Sequence, residues 1–203
     1  MTPPKPSSSK TSLVRRRTDP PRRAIFLDRD GTICEEMGYM NHIRRFALLR
    51  NAPPAIRELN RREIPVIVVT NQSGVARGFF PEALVAQVHE RMHAVLRRWG
   101  ARVDGVYYCP HIKQDGCACR KPLPGMLRRA AREHNLQLKG SWVVSDRYAD
   151  VQMAQSVGGH GALVLTGYGR GEYEWNRKKW RRQPDVVAED LAEAVAVILR
   201  RWK

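Results

Sequence analysis

The sequence predicts one α/β domain built on an open, doubly wound and mostly parallel sheet, with no large cap domain. From residue 24 onward, short apolar runs rich in β-branched residues alternate with segments of helical periodicity. Strands that alternate with helices form parallel sheets, because each helix returns the chain to the same end of the sheet. At 203 residues and 42% hydrophobic content, the chain also suits one domain with a sizeable core.

Six runs are the predicted strands, and several of them end in a polar residue. These runs are residues 24–28, 66–70, 105–109, 142–146, 162–166 and 185–188. Four segments carry the apolar spacing of amphipathic helices: residues 81–99, 124–134, 149–157 and the stretch after the N-cap Asp190. In such folds ligands bind at the carboxyl ends of the strands, which is where Asp28, Thr70 and Asp146 fall.

Residues 1–23 are predicted to be a disordered basic tail before the folded domain at residues 24–203. The tail is rich in Pro, Ser, Lys and Arg and contains no apolar core of a signal peptide. No apolar run approaches the ~20 residues of a membrane span. We therefore expect a cytoplasmic protein without membrane contact, and a monomer because no apolar interface is obvious. The net charge of +16 attracts polyanions and phosphorylated substrates, but a nucleic-acid partner is not expected from charge alone.

The first chemical motif is the carboxylate pair Asp28 and Asp30, in the segment Phe-Leu-Asp-Arg-Asp-Gly-Thr at residues 26–32. A carboxylate at a strand end can attack phosphorus and form an acyl phosphate, which divides a difficult hydrolysis into two easier steps. A second carboxylate two residues on can protonate the leaving oxygen and later deprotonate water. Gly31 permits the tight turn that this arrangement requires. The pair predicts a phosphatase.

Two further segments suit a phosphoryl group. Thr70 opens the loop Thr-Asn-Gln-Ser-Gly-Val-Ala-Arg-Gly at residues 70–78, whose hydroxyl and backbone N–H groups can bind phosphate. Arg120 and Lys121 supply a guanidinium fork and a point charge for anionic groups. Two consecutive basic residues usually lie on the solvated surface. Arg120 and Lys121 therefore indicate a phosphate site only in combination with the other motifs.

Asp146 and Asp150 follow the fourth predicted strand, in Ser-Asp-Arg-Tyr-Ala-Asp at residues 145–150. Two acids four residues apart supply the hard oxygen ligands that Mg²⁺ prefers, alongside water and phosphate. Asp150 alone could equally serve the start of a helix through the helix dipole. The segment predicts a magnesium site.

Three of the four cysteines lie within eleven residues, beside a histidine. In a chain without a secretory signal, such a cluster favours a metal over disulfides. Three thiolates and one imidazole form a closed tetrahedral set suited to structural Zn²⁺, which would fix the reach of the adjacent Arg120 and Lys121. The predicted zinc ligands are Cys109, His111, Cys117 and Cys119, and Cys34 is predicted to be an ordinary semi-buried thiol.

The four motifs, in this order at strand ends, resemble those of the haloacid dehalogenase superfamily of phosphatases over about residues 24–170. The resemblance implies a Rossmann-like domain in which Asp28 is the nucleophile and Asp30 the general acid and base. It implies that Thr70 and Lys121 hold the transferring phosphoryl group.

The same resemblance implies a magnesium site between Asp28, the backbone carbonyl of Asp30, and Asp146. The superfamily's fourth motif commonly reads Gly-Asp, whereas this chain has Ser145 before Asp146. We expect metal binding to survive this exchange, although the serine could tilt the loop.

The zinc loop resembles that of a branch containing the heptose bisphosphate phosphatases and the histidinol-phosphate phosphatases. The stretches at residues 70–78, 106–111 and 119–126 are more similar to the heptose enzymes. This similarity implies removal of the 7-phosphate from D-glycero-D-manno-heptose 1,7-bisphosphate, in the synthesis of nucleotide-activated heptose for the lipopolysaccharide core. The residues implied for sugar-phosphate recognition are Glu36, Met37, Gly38, Tyr39, Asn71, Gln72, Ser73 and Arg120.

Three other functions stay open at this level. Histidinol phosphatases share the zinc spacing and a fourth motif similar to residues 145–152. A polynucleotide 3′-phosphatase carries a similar second motif and Arg-Lys-Pro, and positive charge would help it bind a nucleic-acid backbone, but such enzymes do not ordinarily carry this zinc loop. A non-enzymatic zinc protein that binds nucleic acid would not need the four acid and lysine motifs together.

Overall fold

The structure, a computed structural model, describes residues 20–202 and shows one six-stranded parallel sheet covered by helices on both faces. The strands are β1 (Arg22–Leu27), β2 (Val66–Asn71), β3 (Gly105–Cys109), β4 (Leu136–Ser145), β5 (His160–Val164) and β6 (Val186–Ala188). The α-helices are α1 (Ala52–Arg61), α2 (Glu82–Arg98), α3 (Gly125–His134), α4 (Tyr148–Ser156), α5 (Gly169–Asn176) and α6 (Leu191–Arg201). Short 3-10 helices lie at Ile43–Arg45, Lys113–Asp115 and Arg177–Lys179.

The strand order β3-β2-β1-β4-β5-β6 is that of a doubly wound sheet, and every neighbouring pair is parallel. The chain moves outward from β1 to β3 and then crosses over to begin its second half at β4. The loops that follow β1 and β4 therefore run in opposite directions and leave a crevice at the carboxyl edge. Asp28 follows β1 and Ser145 ends β4. The predicted fold class is confirmed.

The central strand β1 is held by two hydrophobic cores, because successive side chains of a strand point to opposite faces. Ile25 and Leu27 pack with residues of α1, α2 and α6, whereas Ala24 and Phe26 pack with residues of α3 and α4. Each of these four side chains is at most 1% exposed. This packing fixes the position of the turn that carries Asp28.

Strand β1 begins earlier than the predicted boundary between tail and domain at residue 23. Arg22 and Arg23 pair with Leu136 and Gln137, at the start of a β4 that is longer than predicted. A register shift between Arg23 and Ile25 lets the two strands continue to pair. Residues 1–19 of the predicted tail lie outside the described residues.

Two helices, α1 and α5, are absent from the predicted elements. Helix α1 carries Pro53 and Pro54 in its first turn, where the missing N–H groups cost no helical hydrogen bond. Helix α5 begins at Gly169, where a Cβ atom would overlap the carbonyl group of Val164. These Pro and Gly residues serve helix starts and close packing, although they suggest loops in the sequence. No helix within residues 20–202 is long and apolar enough to span a membrane.

Candidate active site

A cavity of about 350 Å³ opens at the carboxyl edge of the sheet, over the crevice between β1 and β4. Asp28, Asp30, Thr70 and Lys121, the four predicted catalytic residues, all line it. The predicted substrate-binding residues also lie there, with one exception: Glu36, Gly38, Tyr39, Asn71, Gln72, Ser73 and Arg120. The structure therefore brings into one cavity predicted residues as distant in sequence as Asp28 and Lys121, which are 93 positions apart.

Met37 is the exception. It lies outside the cavity wall, is 37% exposed, and its carbonyl oxygen accepts a hydrogen bond from Arg45. The chain turns at Gly38, whose φ of 70° is a left-handed conformation that glycine adopts without strain. The neighbours Glu36 and Tyr39 line the cavity, so the prediction that Met37 binds substrate is not supported by its position.

A buried ion-pair group occupies the floor of the cavity. The Lys121 ammonium lies 2.7 Å from Asp28 Oδ2 and 2.8 Å from Asp150 Oδ1, and it donates to the carbonyl oxygen of Val69 at 3.2 Å. Burial alone would lower the pKa of Lys121, but the two carboxylates outweigh burial and raise it above its usual value. Lys121 is therefore a permanent positive charge against the Asp28 carboxylate.

The other contacts of Asp28 fix the rotation of its carboxylate. Its Oδ1 accepts from the backbone N–H of Arg29 at 2.7 Å, and its Oδ2 accepts from Ser145 Oγ at 3.2 Å. Ser145 Oγ in turn accepts from the backbone N–H of Arg147 at 3.1 Å. The serine that replaces the usual glycine thus links the first and fourth motifs by hydrogen bonds.

Asp146 has the chemistry of a cation ligand. It is 0% exposed, its Oδ2 accepts from the backbone N–H of Tyr168 at 2.9 Å, and its Oδ1 has no hydrogen-bond partner among the described residues. Burial, with the nearby negative charge of Asp28, raises the pKa of Asp146 to about 8. A buried carboxylate oxygen without a partner is costly unless a cation or proton compensates it. Asp146 and Asp28 could therefore hold a divalent cation between them.

Two glycines form a cradle around Asp146. A Cβ atom at Gly31, where φ is 71°, or at Gly167 would overlap Asp146 Oδ2. The backbone of the turn after Asp28 therefore lies directly against Asp146, which brings the carbonyl groups of that turn close to the candidate cation position. This contact is the structural reason for Gly31 in the first motif.

Asp150, whose spacing from Asp146 suggests a magnesium ligand, is instead paired with Lys121. It is 1% exposed and its Oδ1 pairs with Lys121, while its Oδ2 has no hydrogen-bond partner among the described residues. Burial raises the pKa of Asp150 to about 7, and the Lys121 charge opposes that rise. Its ion pair is with the lysine that faces Asp28, so Asp150 helps to fix that lysine.

Thr70 and Gln72 connect the second motif to Asp30. The Gln72 amide nitrogen donates to Thr70 Oγ1 and to Asp30 Oδ2, at 2.9 Å each. Asp30 also accepts two hydrogen bonds from the guanidinium group of Arg29. The predicted general acid is therefore held at the wall of the cavity by Gln72, which was predicted to bind substrate, and by Arg29, which the sequence analysis does not single out.

Two unpredicted residues, Arg147 and Tyr168, line the same cavity. The Arg147 guanidinium carbon lies 4.4 Å from the centroid of the Tyr168 ring, and its Nε lies 3.4 Å from Glu172. Arg120 and Arg147 are thus two cations at the wall of the cavity, in addition to Lys121 on its floor. Its position directly after Asp146 in the fourth motif is a signal that could have identified it.

The predicted metal cluster is assembled. The side chains of Cys109, His111, Cys117 and Cys119 place their ligand atoms within 4.8 Å of one another, with neighbouring pairs 3.2–3.6 Å apart. A tetrahedral zinc site with bonds of ~2.3 Å has edges of about 3.8 Å, so the spacing fits such an ion. The cluster could hold a metal ion, and its sulfur separations exceed a disulfide bond.

The metal cluster and the cavity share a wall. Cys119 precedes Arg120, whose Nη1 donates to the carbonyl oxygen of His111 at 2.9 Å. Lys121 follows directly, and its backbone N–H donates to Asn71 at 3.2 Å. The loop that holds the cluster therefore also sets the position of both basic residues.

Cys34 differs from its prediction as a semi-buried thiol. It is 0% exposed, and its thiol donates to Asp30 Oδ1 at 3.4 Å. Burial, with the charge of Asp30, raises the pKa of this thiol well above its usual value. Cys34 thus belongs to the surroundings of Asp30, apart from the metal cluster.

Two family models match the chain. The model described as polynucleotide kinase 3 phosphatase matches residues 23–148, and the model described as HAD-hydrolase-like, where HAD stands for haloacid dehalogenase, matches residues 118–194. The first match spans the first three motifs, and the second spans the third and the fourth. The fold, the site and these matches define the class of the protein: it is a haloacid dehalogenase-like phosphatase.

Curated relatives and a solved structure narrow this class. The D-glycero-beta-D-manno-heptose-1,7-bisphosphate 7-phosphatase of Pseudomonas putida is 36% identical over 171 residues, which cover 84% of this chain and 95% of the relative. The protein of that name from Bordetella bronchiseptica is 40% identical over 149 residues, covering 73% and 83%. The crystal structure of D,D-heptose 1,7-bisphosphate phosphatase from B. bronchiseptica, complexed with magnesium and phosphate, has a TM-score of 0.81 at 36% identity and covers 88% of this chain and 99% of that chain. The chain belongs to this family of heptose bisphosphate phosphatases.

Proposed function

We propose that this chain removes the 7-phosphate from D-glycero-D-manno-heptose 1,7-bisphosphate through an aspartyl-phosphate on Asp28. The observation that carries the mechanism is the position of the Asp28 carboxylate on the floor of the cavity, against Lys121 and beside Asp146. The substrate is proposed from the names of the relatives, and the cavity of about 350 Å³ is of the size that takes a small molecule.

In the first step, one oxygen of Asp28 attacks the 7-phosphorus atom and forms the acyl phosphate. The bond from phosphorus to the sugar oxygen breaks, and its electron pair stays on that oxygen, which takes a proton from Asp30. Lys121 and Thr70 border the position of the transferring group, where the lysine charge stabilises its oxygens.

In the second step, Asp30 takes a proton from a water molecule whose oxygen attacks the phosphorus atom. The bond between phosphorus and Asp28 breaks, and the carboxylate is restored with release of inorganic phosphate. The same residue therefore acts as acid in one half-reaction and as base in the other. The placement of Asp30 at the cavity wall suits both tasks, because the leaving oxygen and the attacking water occupy the same side of phosphorus.

We propose Mg²⁺ as the cation at Asp28, the backbone carbonyl of Asp30, and Asp146. The unpartnered Oδ1 of Asp146 and the glycine cradle around it support this assignment. When bound, Mg²⁺ would neutralise charge on the phosphoryl oxygens. We propose Zn²⁺ for the cluster of Cys109, His111, Cys117 and Cys119, where a closed set of four ligands suits a structural ion.

The remaining wall residues are proposed to select the sugar phosphate. Arg120 and Arg147 are cations at the wall, so they could contact the phosphate that is not cleaved. Glu36 and Tyr39, on the turn around Gly38, and the residues at 71–73 offer polar and aromatic contacts to the sugar. A bisphosphate places one phosphate on the floor and leaves the other for these arginines.

Phosphate release from three compounds tests the proposed substrate. We expect kcat/KM for D-glycero-D-manno-heptose 1,7-bisphosphate to exceed that for histidinol phosphate and for a 3′-phosphorylated oligonucleotide by at least about 100-fold. A substrate that lacks a polar group of the true substrate leaves the buried side chains that bind this group without a partner. The oligonucleotide is included because one matching family model is described as a polynucleotide kinase 3 phosphatase. Equal and slow release from all three would contradict the substrate proposal, and a preference for either comparison compound would replace it.

A further inference from the structure

The Arg29 side chain, between the two motif acids, is buried rather than solvated. It is 1% exposed, and its guanidinium group grips the Asp30 carboxylate with two hydrogen bonds, Nε to Oδ1 at 3.0 Å and Nη2 to Oδ2 at 2.7 Å. Such a planar two-point contact fixes the orientation of a carboxylate as well as its position. The Arg29 side chain does not line the cavity, and its hydrogen bonds go to Asp30 and His89, so they lead to substrate only through Asp30.

The far side of the Arg29 guanidinium is held by His89 on α2. Its Nη1 lies 3.3 Å from His89 Nε2, and the His89 side chain is buried, with the residue 9% exposed. A guanidinium group can only donate, so His89 Nε2 must be the acceptor and the proton of the neutral ring must be on Nδ1. Burial, reinforced by the Arg29 charge, lowers the pKa of His89 to about 3, which keeps the ring neutral and able to accept.

The Asp30 carboxylate without this support would have fewer constraints. Its remaining described donors are the Gln72 amide, at 2.9 Å from Oδ2, and the weak Cys34 thiol donor, at 3.4 Å from Oδ1. The Asp30 side chain is 20% exposed, so water can compete for its oxygens. The two hydrogen bonds from the Arg29 guanidinium group are thus the strongest restraint on the Asp30 carboxylate. His89 in turn helps to fix the position of that guanidinium group.

We propose that His89 and Arg29 are positioning residues for the reaction: His89 anchors the Arg29 guanidinium, and Arg29 holds Asp30 where it exchanges a proton with the leaving oxygen. This inference rests on the proposed role of Asp30 as general acid. His89 does not line the cavity, and its ring packs on Tyr108, which does not line the cavity either, with 5.7 Å between the ring centroids. Its hydrogen-bond contact is with Arg29, which is the route by which we expect it to affect turnover.

The test compares two replacements of His89 with a matched control. His89→Leu keeps an apolar volume and removes the acceptor, whereas His89→Gln can place an amide oxygen near the position of Nε2 and keep it. His93→Leu is the control, because it makes the same exchange one turn further along α2 without a described contact to Arg29. Two substrates are compared: the heptose bisphosphate, whose leaving alkoxide needs a proton, and p-nitrophenyl phosphate, whose leaving phenolate does not.

We expect His89→Leu to lower kcat/KM for the heptose bisphosphate by about 10- to 100-fold, part of the 10²–10⁴-fold contribution of a general acid. The same variant should lower kcat/KM for p-nitrophenyl phosphate by less than about threefold, because kcat/KM covers only the steps up to aspartyl-phosphate formation. His89→Gln should restore most of the lost activity, and His93→Leu should resemble the wild type.

Three results would overturn the inference: an equal loss on both substrates, no loss on either, or a Gln variant as impaired as the Leu variant. Crystal structures of the two His89 variants without substrate give a readout that does not depend on activity. Asp30 should leave Arg29 in His89→Leu and stay in His89→Gln, and an unchanged Asp30 in both would also overturn the inference. Failure of the proposed function is separate, since it shows in the wild-type protein as absence of turnover of the heptose bisphosphate.

Discussion

Replacement of Asp28 by asparagine is expected to lower kcat by more than about 10⁴-fold, a loss typical of a missing nucleophile. The amide nitrogen cannot attack phosphorus, and the amide oxygen is a far weaker nucleophile than a carboxylate. Phosphate release from the heptose bisphosphate measures this loss. Turnover within tenfold of the wild type would rule out Asp28 as the nucleophile.

The fold should survive the Asp28→Asn exchange. Breaking a buried ion pair usually costs ~3–5 kcal/mol, but Lys121 keeps its contact with Asp150. The exchange also removes the negative charge that acts on Asp146. We therefore expect a loss of less than about 2 kcal/mol in the free energy of unfolding, measured by denaturant titration.

A control variant tests whether the loss of one negative charge is by itself enough to explain the effects of Asp28→Asn. Glu90→Gln neutralises an exposed acid on α2 that does not line the cavity. It should keep both the activity and the stability of the wild type, because surface substitutions away from such contacts usually change stability by no more than about 0.5 kcal/mol.

Removal of the proposed zinc ion should destabilise the protein and inactivate it. Structural zinc ions contribute folding free energy directly, about 10–16 kcal/mol in isolated zinc fingers. Here the sheet has its own cores, so we expect Cys119→Ser to cost a smaller amount, about 3–5 kcal/mol. Activity should fall with it, because Arg120 and Lys121 follow Cys119 directly.

Metal analysis checks this prediction, with about one zinc ion per wild-type chain and much less in Cys119→Ser. Cys34→Ser is the control for zinc content, since its thiol lies against Asp30 and outside the cluster. Chelation followed by excess Mg²⁺ distinguishes the two metals: magnesium alone should not restore a chain that has lost zinc. Purified, fully active protein with almost no zinc would contradict the assignment.

The sequence predicted the sheet and most of the residues that line the cavity because both follow local rules. Apolar runs that stop at Asp28, Thr70 and near Asp146 marked strand ends, and parallel strands bring their carboxyl ends to one edge. The metal cluster was equally local, since three cysteines and a histidine within eleven residues are close before the chain folds. These parts needed no knowledge of helix packing.

The parts that the sequence did not predict depend on contacts between distant segments. His89 lies 60 residues from Arg29, and no spacing rule relates a helix histidine to the arginine between two motif acids. Asp150 has the spacing of a second metal ligand, yet its ion pair with Lys121, 29 positions earlier in the chain, is visible only in the folded structure. Met37 was predicted to bind substrate together with its sequence neighbours, although the turn at Gly38 leaves it outside the cavity.

Capture of the covalent intermediate tests the central claim most directly. The enzyme is quenched in acid during turnover of the heptose bisphosphate and reduced with borohydride, which converts an aspartyl-phosphate to homoserine, and the peptide that spans residues 24–29 is sequenced by mass spectrometry. We predict homoserine at position 28, dependent on substrate and absent from Asp28→Asn. Homoserine at another acid, or a peptide with unmodified Asp28 under conditions of rapid turnover and verified trapping, would contradict the account.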